Sequence, residues 1–343
     1  MKIACATRWA GRPASSRLCP MSTSPSPTQH LLVYESEHPA DLPYYREQLQ
    51  ARFPDLSIAV AASLEEARPH LQSMTVLIAK TVSVPEPLLL EAPRLRWIQA
   101  LTTGVDRLLS LPLRKDIVLC SARGIHGPQM SELALLSMLA LARDFPRMLR
   151  NQQESRWQRW PQRLLRGKTV AIVGVGTISR QLALCCSTFG MHVVGISNAV
   201  RAAEHYDEIQ PRAALASVAA RCDFMVLLVP YSAETHHLID APLLAAFKPG
   251  ACLVNIARGP VVDEAALIAA LRAGPLGGAA LDVFDTEPLP ASSALWQLPN
   301  VIITPHIGGM SDNYAEQLMP LILHNTAAWL AGDRAALRNV IAL

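Results

Sequence analysis

Arg258, Glu287 and His306 each come soon after a short apolar run, at 251–256, 278–283 and 301–304 respectively. A guanidinium presents a planar fork that matches a carboxylate and never loses its charge. An imidazole is the usual proton donor near neutral pH, and a carboxylate behind it orients the ring and favours its protonated form. The three residue types together predict a carboxylate anchor beside a proton-transfer pair. The runs that precede them have the length and composition of buried strands. Ligands of open α/β sheets bind just beyond the carboxyl ends of such strands, so the three side chains are expected on one edge, in an enzyme. Two of them also have a simpler role to set against this: an ion pair at a helix start for Arg258, and a structural imidazole for His306.

A second constellation lies upstream. Gly174-Val175-Gly176-Thr177-Ile178-Ser179 falls between an apolar run at 169–173 and a helical pattern at 178–189, with another apolar run at 192–196. Two glycines at a strand-to-helix turn allow close approach of a pyrophosphate, which the helix N-terminus then stabilises. Alone the pair is a weak signal, since tight turns use glycine. In this strand–turn–helix–strand setting it predicts a dinucleotide. Ser179 stands where a third glycine is usual, and its small Cβ calls for a modest adjustment. An acid at the end of the second strand would select NAD. Here the chain reads Ser197-Asn198-Ala199-Val200-Arg201, with no acid before Glu204. Neutral donors followed by Arg201 suit NADP, with NAD on an ordinary solvated loop as the alternative. Asp282 ends its run and could hold a nicotinamide carboxamide or simply brace a turn. The adjacent His236 and His237 are expected to face apart and to be non-catalytic, and no metal site is expected.

The elements that must position these groups alternate along the chain. Apolar runs at 31–34, 57–61, 75–79 and 117–120 are separated by helical patterns at 42–53 and 64–71. Alternating strand and helix means a parallel-sheet α/β fold. A long helix is expected at 128–143, with Pro128 in its first turn, followed by a basic, Trp-bearing segment at 147–166. A second α/β series adds strands at 224–229, 251–255, 278–283 and 301–304, and an amphipathic helix at about 312–330 closes the fold. At 343 residues, two domains are expected.

Bulk properties narrow the function classes. Half the residues are hydrophobic, 17% are charged, and the formal net charge is +3, too small to imply nucleic acid. No apolar run reaches the roughly 18 residues of a membrane span. Seven cysteines show no paired metal spacing and several lie in apolar runs, which fits a reducing cytoplasm. Residues 1–29 are Ser-, Pro- and Arg-rich without an acid; a disordered tail or over-extended start is expected ahead of an organelle transit peptide.

Taken together, Gly174–Ser179, Val254-Asn255-Ile256-Ala257-Arg258-Gly259, the segment 281–288 and Pro305-His306-Ile307-Gly308-Gly309 resemble the D-isomer-specific 2-hydroxyacid dehydrogenase family from about Leu31 onward. The resemblance implies two Rossmann-like, doubly wound parallel-sheet domains. The substrate domain would be discontinuous, 30–122 plus 307–343, around a dinucleotide domain of 123–306. It implies that Arg258 grips the carboxylate and keto oxygen of a 2-keto acid while His306, oriented by Glu287, donates a proton as hydride arrives. It further implies that Lys80, Thr103 and Gly104 line the carboxylate pocket. The cofactor surface would comprise Gly174, Gly176, Thr177, Ile178, Ser197, Asn198, Arg201, Val229, Pro230, Ile256, Ala257, Asp282, His306 and Gly308. A homodimer built on the 128–143 helix is implied, and Trp157 or Trp160 could reach a partner's site or act only as buried packing. Lys80 could equally be a surface residue closing a strand. Glyoxylate and hydroxypyruvate are the expected substrates. Two other readings stand: a formate dehydrogenase, against which Glu287 argues because Gln is expected there, and a dinucleotide-sensing corepressor with feeble turnover.

Overall fold

The computed structural model of the protein describes residues 29–81 and 83–342; the expected tail at 1–29 lies outside them apart from Gln29. Five apolar runs form the parallel part of a first sheet: β1 (His30–Tyr34), β2 (Ser57–Ala61), β3 (Val76–Ala79), β4 (Trp97–Ala100) and β5 (Val118–Cys120). Strands buried on both faces read as continuous apolar runs, and β3 and β4 are buried at every position. The second sheet takes β6 (Thr169–Val173), β7 (His192–Ile196), β8 (Glu208–Gln210), β9 (Phe224–Leu227), β10 (Cys252–Asn255), β11 (Gly278–Leu281) and β12 (Val301–Ile303). A last strand, β13 (Val340–Ile341), returns to pair antiparallel with β5.

The sheet orders are β13-β5-β4-β3-β1-β2 and β12-β11-β10-β9-β6-β7-β8. In each, strand order reverses beside the first strand of the series, and the crevice at that reversal is where α/β sheets take ligands. The reversal lies between β1 and β3 in one sheet and between β6 and β9 in the other. The fold is thus two doubly wound parallel-sheet domains. The first is discontinuous, because its core joins Leu31, Val33 and Trp97 to Leu318, Ile322 and Trp329 of the helix Tyr314–Leu330. Trp97 and Trp329 stack at 5.3 Å. The helix Gly127–Ala142 packs into the other core, through Met130, Ala134 and Met138 against Val170, Ile172 and Leu182.

Three strands escape the periodicity argument. β4 carries Gln99, which is fully buried; its Oε1 accepts from Asn325 Nδ2 at 2.7 Å and its Nε2 donates to the Ala100 carbonyl at 2.9 Å. A satisfied amide in the core breaks the apolar pattern. β8 is a polar edge strand and β13 is two residues long.

Candidate active site

β10, β11 and β12 are neighbours in register, so the segments leaving their carboxyl ends share one edge. Beyond β10, the buried Asn255 shapes the turn: its Oδ1 accepts from the Ala257 N–H at 3.1 Å and its Nδ2 donates to the Arg258 carbonyl at 3.0 Å. Arg258 emerges half-buried. Beyond β11, Glu287 Oε1 accepts from the Phe284 N–H at 2.9 Å, and its Oε2 lies 2.6 Å from His306 Nδ1. His306 holds a left-handed backbone, φ 54°, a conformation costly for a residue with a Cβ and most often retained at functional sites. Its N–H donates to the Asp282 carbonyl at 2.9 Å.

The electrostatics of this pair derive from the contact. The Glu287 hydrogen bond raises the His306 pKa, against the effect of burial and of the Arg258 charge. Burial works to raise the Glu287 pKa, but the hydrogen bond from His306, the Phe284 N–H and the nearby cations overcome it and lower it. The ring is thereby biased toward imidazolium, with Nδ1 committed to Glu287 and the other nitrogen directed elsewhere.

Asp282 is buried, and its carboxylate accepts from Thr304 Oγ1 at 2.6 Å, Ile307 N–H at 3.0 Å and Gly308 N–H at 2.9 Å. Three of its roughly four acceptor positions therefore brace the loop that carries His306. The turn role is visible, and one acceptor position is left over.

At the β6 reversal, Gly174 has φ 104°, and a Cβ there would come within 2.8 Å of the Leu228 carbonyl oxygen. Only glycine fits that turn. The helix Thr177–Thr188 starts directly after Gly176, and its first-turn N–H groups have no intrahelical acceptor. Ser179 proves more than a tolerated departure: it is buried, and its hydroxyl accepts from the Gly176 N–H at 2.6 Å, tying the turn to the helix. Ser197 comes after β7 with Asn198 and Arg201 exposed beyond it; Val229 is buried and Pro230 exposed after β9, and Ile256 and Ala257 are buried after β10. A cradle with free N–H groups and no acid between β7 and Glu204 fits an anionic dinucleotide.

Thr103 and Gly104 lie just past β4. Thr103 Oγ1 is 2.8 Å from His126 Nδ1, and His126 Nε2 is 3.0 Å from the Tyr314 hydroxyl. This chain of contacts joins the loop to both places where the polypeptide passes between the domains. Burial, reinforced by the Arg258 charge, lowers the His126 pKa to about 4. Lys80 is not a surface residue. It is buried, with its ammonium 3.5 Å from Glu35 Oε2 and 3.4 Å from Glu37 Oε2, at the reversal of the first sheet. None of Glu35, Glu37, Asp106, His126 or Tyr314 stands out in the sequence, because each acquires its partner only through tertiary contact.

Two expectations are corrected. His236 and His237 do not face apart: their rings stack at 4.0 Å and 21°, because His237 turns into the left-handed region at φ 48°. Nor is Trp157 buried packing, being 87% exposed, while Trp160 lies 4.3 Å beneath the Arg147 guanidinium.

Comparison with known proteins gives this geometry a context. The sequence pattern described as D-isomer specific 2-hydroxyacid dehydrogenase, NAD binding domain, matches residues 135–308. An (S)-sulfolactate dehydrogenase of Chromohalobacter salexigens is 33% identical, over 79% of this chain and 91% of the relative. A glyoxylate/hydroxypyruvate reductase B of Pectobacterium carotovorum is 32% identical, over 84% of this chain and 92% of the relative. A D-isomer specific 2-hydroxyacid dehydrogenase family protein of Aeromonas salmonicida superposes with TM-score 0.84 at 36% identity, covering 91% of this chain and 99% of that one. An NADPH-dependent glyoxylate/hydroxypyruvate reductase of Sinorhizobium meliloti, solved with NADP and sulfate, superposes with TM-score 0.78 at 27% identity, covering 91% and 98%. Fold, glycine turn and relatives define a nicotinamide-dinucleotide-dependent oxidoreductase. The chain belongs to the D-isomer specific 2-hydroxyacid dehydrogenase family.

Proposed function

We propose that the protein reduces a small 2-keto acid, of the glyoxylate or hydroxypyruvate kind, to the D-2-hydroxy acid with NADPH. The observation that carries the reading is the 2.6 Å contact between His306 Nδ1 and Glu287 Oε2, on the edge that also bears Arg258. In this reading Arg258 holds the carboxylate and keto oxygen, and the His306 nitrogen not bound to Glu287 gives the proton. A cation and a proton donor aimed at the keto oxygen stabilise the charge that develops there. The nicotinamide, when bound, supplies the hydride. Gly174, Gly176 and the first turn at Thr177 and Ile178 would hold the pyrophosphate; Ser197, Asn198 and Arg201 the adenosine ribose; and Val229, Pro230, Ile256, Ala257, Asp282 and Gly308 the rest of the cofactor. Thr103 and Gly104 would line the carboxylate pocket. Lys80 already faces Glu35 and Glu37, which favours a substrate without a second anionic group.

The substrate domain is read as 30–122 plus 307–343, and the dinucleotide domain as 123–306. Exposed Leu136, Phe145, Leu149 and Trp157 along the helix Gly127–Ala142 and after it support a homodimer. No described helix is long and apolar enough to cross a membrane, and the five described cysteines are free thiols, which suits the cytoplasm. A multiple-turnover assay of 2-keto acids against NADPH and NADH tests the function. Sustained turnover supports it, and binding with only feeble turnover would leave a dinucleotide-sensing module instead.

Two results are expected from this arrangement. Glu287→Gln keeps a hydrogen-bond acceptor but removes the charge that raises the His306 pKa. Reduction needs the imidazolium, so activity is lost as pH rises through that pKa, and the loss should move to lower pH in the variant. An unchanged pH profile of kcat/KM would show that Glu287 does not tune His306. Arg201→Ala should raise KM for NADPH by roughly tenfold to a hundredfold, the worth of a charge-assisted hydrogen bond of about 1.5–3 kcal/mol, and hardly alter that for NADH. Equal losses with both cofactors, or a wild-type preference for NADH, would refute a 2′-phosphate contact.

A further inference from the structure

We propose that Asp106 is a positioning residue for the reaction: it holds the Arg258 guanidinium by one edge, across the gap between the two domains, and leaves the other edge to the substrate. The proposal rests on Arg258 being the carboxylate anchor. Asp106 Oδ2 accepts from Nε and from Nη2 of Arg258, each at 3.2 Å, and Arg258 Nη1 donates to the Ala257 carbonyl at 2.6 Å. A guanidinium carries five N–H groups in a fixed plane. The Nε and one Nη2 hydrogen form its side edge, which Asp106 occupies. One Nη1 hydrogen turns back to the backbone. The two that remain, one on each terminal nitrogen, are parallel and form the end of the fork, the arrangement that binds a carboxylate through two hydrogen bonds. The orientation of the fork is set by contacts that leave that end open.

Gly104 supports the same geometry. A Cβ built there would fall 1.8 Å from Arg258 Nη2 and 3.2 Å from Asp106 Oδ2, so the arginine lies directly over this glycine. The loop beneath is itself pinned, since the Gly104 carbonyl accepts from the hydroxyls of Thr81 at 3.0 Å and Thr102 at 2.8 Å. The Asp106 side chain is 53% exposed, and an ion pair so open to solvent contributes little to stability. Its value lies in geometry: Asp106 comes after β4 in the first sheet and Arg258 after β10 in the second, so the clamp forms only when the domains are close enough to enclose a substrate.

The test is a double-mutant cycle on kcat/KM with glyoxylate at saturating NADPH, using Asp106→Ala, Arg258→Ala and the pair, with NADPH binding measured by fluorescence as a control for folding. Asp106→Ala should raise KM for glyoxylate about tenfold, the low end for a hydrogen bond to a charged group, with a smaller fall in kcat and unchanged NADPH affinity. Asp106→Asn, which keeps one acceptor oxygen and the shape, should lie between; it carries the test if the alanine variant loses NADPH binding. In the Arg258→Ala background, removing Asp106 should cost nothing further. Full additivity, or a wild-type KM in both Asp106 variants while Arg258→Ala is crippled, would overturn the positioning role and leave the anchor reading intact. A harmless Arg258→Ala would instead remove the anchor reading itself.

Discussion

Arg258→Lys is expected to lower kcat/KM for the 2-keto acid by about a hundredfold or more while NADPH binds as before. The substitution keeps the charge and removes the plane. A single ammonium can replace neither the side edge that meets Asp106 nor the end of the fork, and it cannot hold a carboxylate and a keto oxygen together. Misplacing a substrate by about 1 Å can cost on the order of a hundredfold in rate. Steady-state assays over a wide range of keto acid, beside a fluorescence titration with NADPH, measure both halves of the expectation. Turnover close to the wild type would mean that charge alone suffices at this position.

For His306 the expected loss is in kcat, by the ~10²–10⁴ typical of a general acid. The backbone complicates the usual alanine variant. His306 sits at φ 54°, where a β-carbon costs energy and Asn is among the residues that tolerate the conformation best. His306→Asn therefore removes the acid and spares the turn, and His306→Ala removes the acid and strains it. Equal losses in the two variants would assign the effect to the proton; a loss confined to alanine would assign it to the loop. The falling limb of the pH profile for reduction should vanish in both.

The line between what can be read in the chain and what cannot is a physical one. Parallel strands buried on both faces leave continuous apolar runs, so β6, β7, β9, β10 and β11 are legible. The edge strand β12 is only half-buried but keeps an apolar Val-Ile-Ile run, and with these strands come Arg258, Glu287 and His306 just past them. β4 is not, because Gln99 replaces an apolar side chain and is satisfied by Asn325, 226 residues away. The pairing of Asp106 with Arg258 spans 152 residues, and no local pattern encodes a contact of that kind. Lys80 is legible as a position but not as an environment, since its two carboxylate neighbours sit on the loop after β1 and only the β1–β3 pairing brings them to it. Ser179 looks in the sequence like the loss of a glycine, whereas its hydroxyl gives the turn a hydrogen bond that glycine could not.

The discontinuity of the first domain has a consequence for the order in which the protein is assembled on the ribosome. Domains tend to fold as units while the chain emerges, those nearer the N-terminus first. Here the half begun first is finished last. Every strand of the second sheet has been synthesised once Ile303 is added. The core around Leu31, Val33 and Trp97 still lacks Leu318, Ile322 and Trp329 at that moment, and β5 waits for its partner β13 at Val340–Ile341. A nascent chain thus carries the open face of its earliest sheet until the helix Tyr314–Leu330 and β13 have been made, and the half made after it is the one able to close alone.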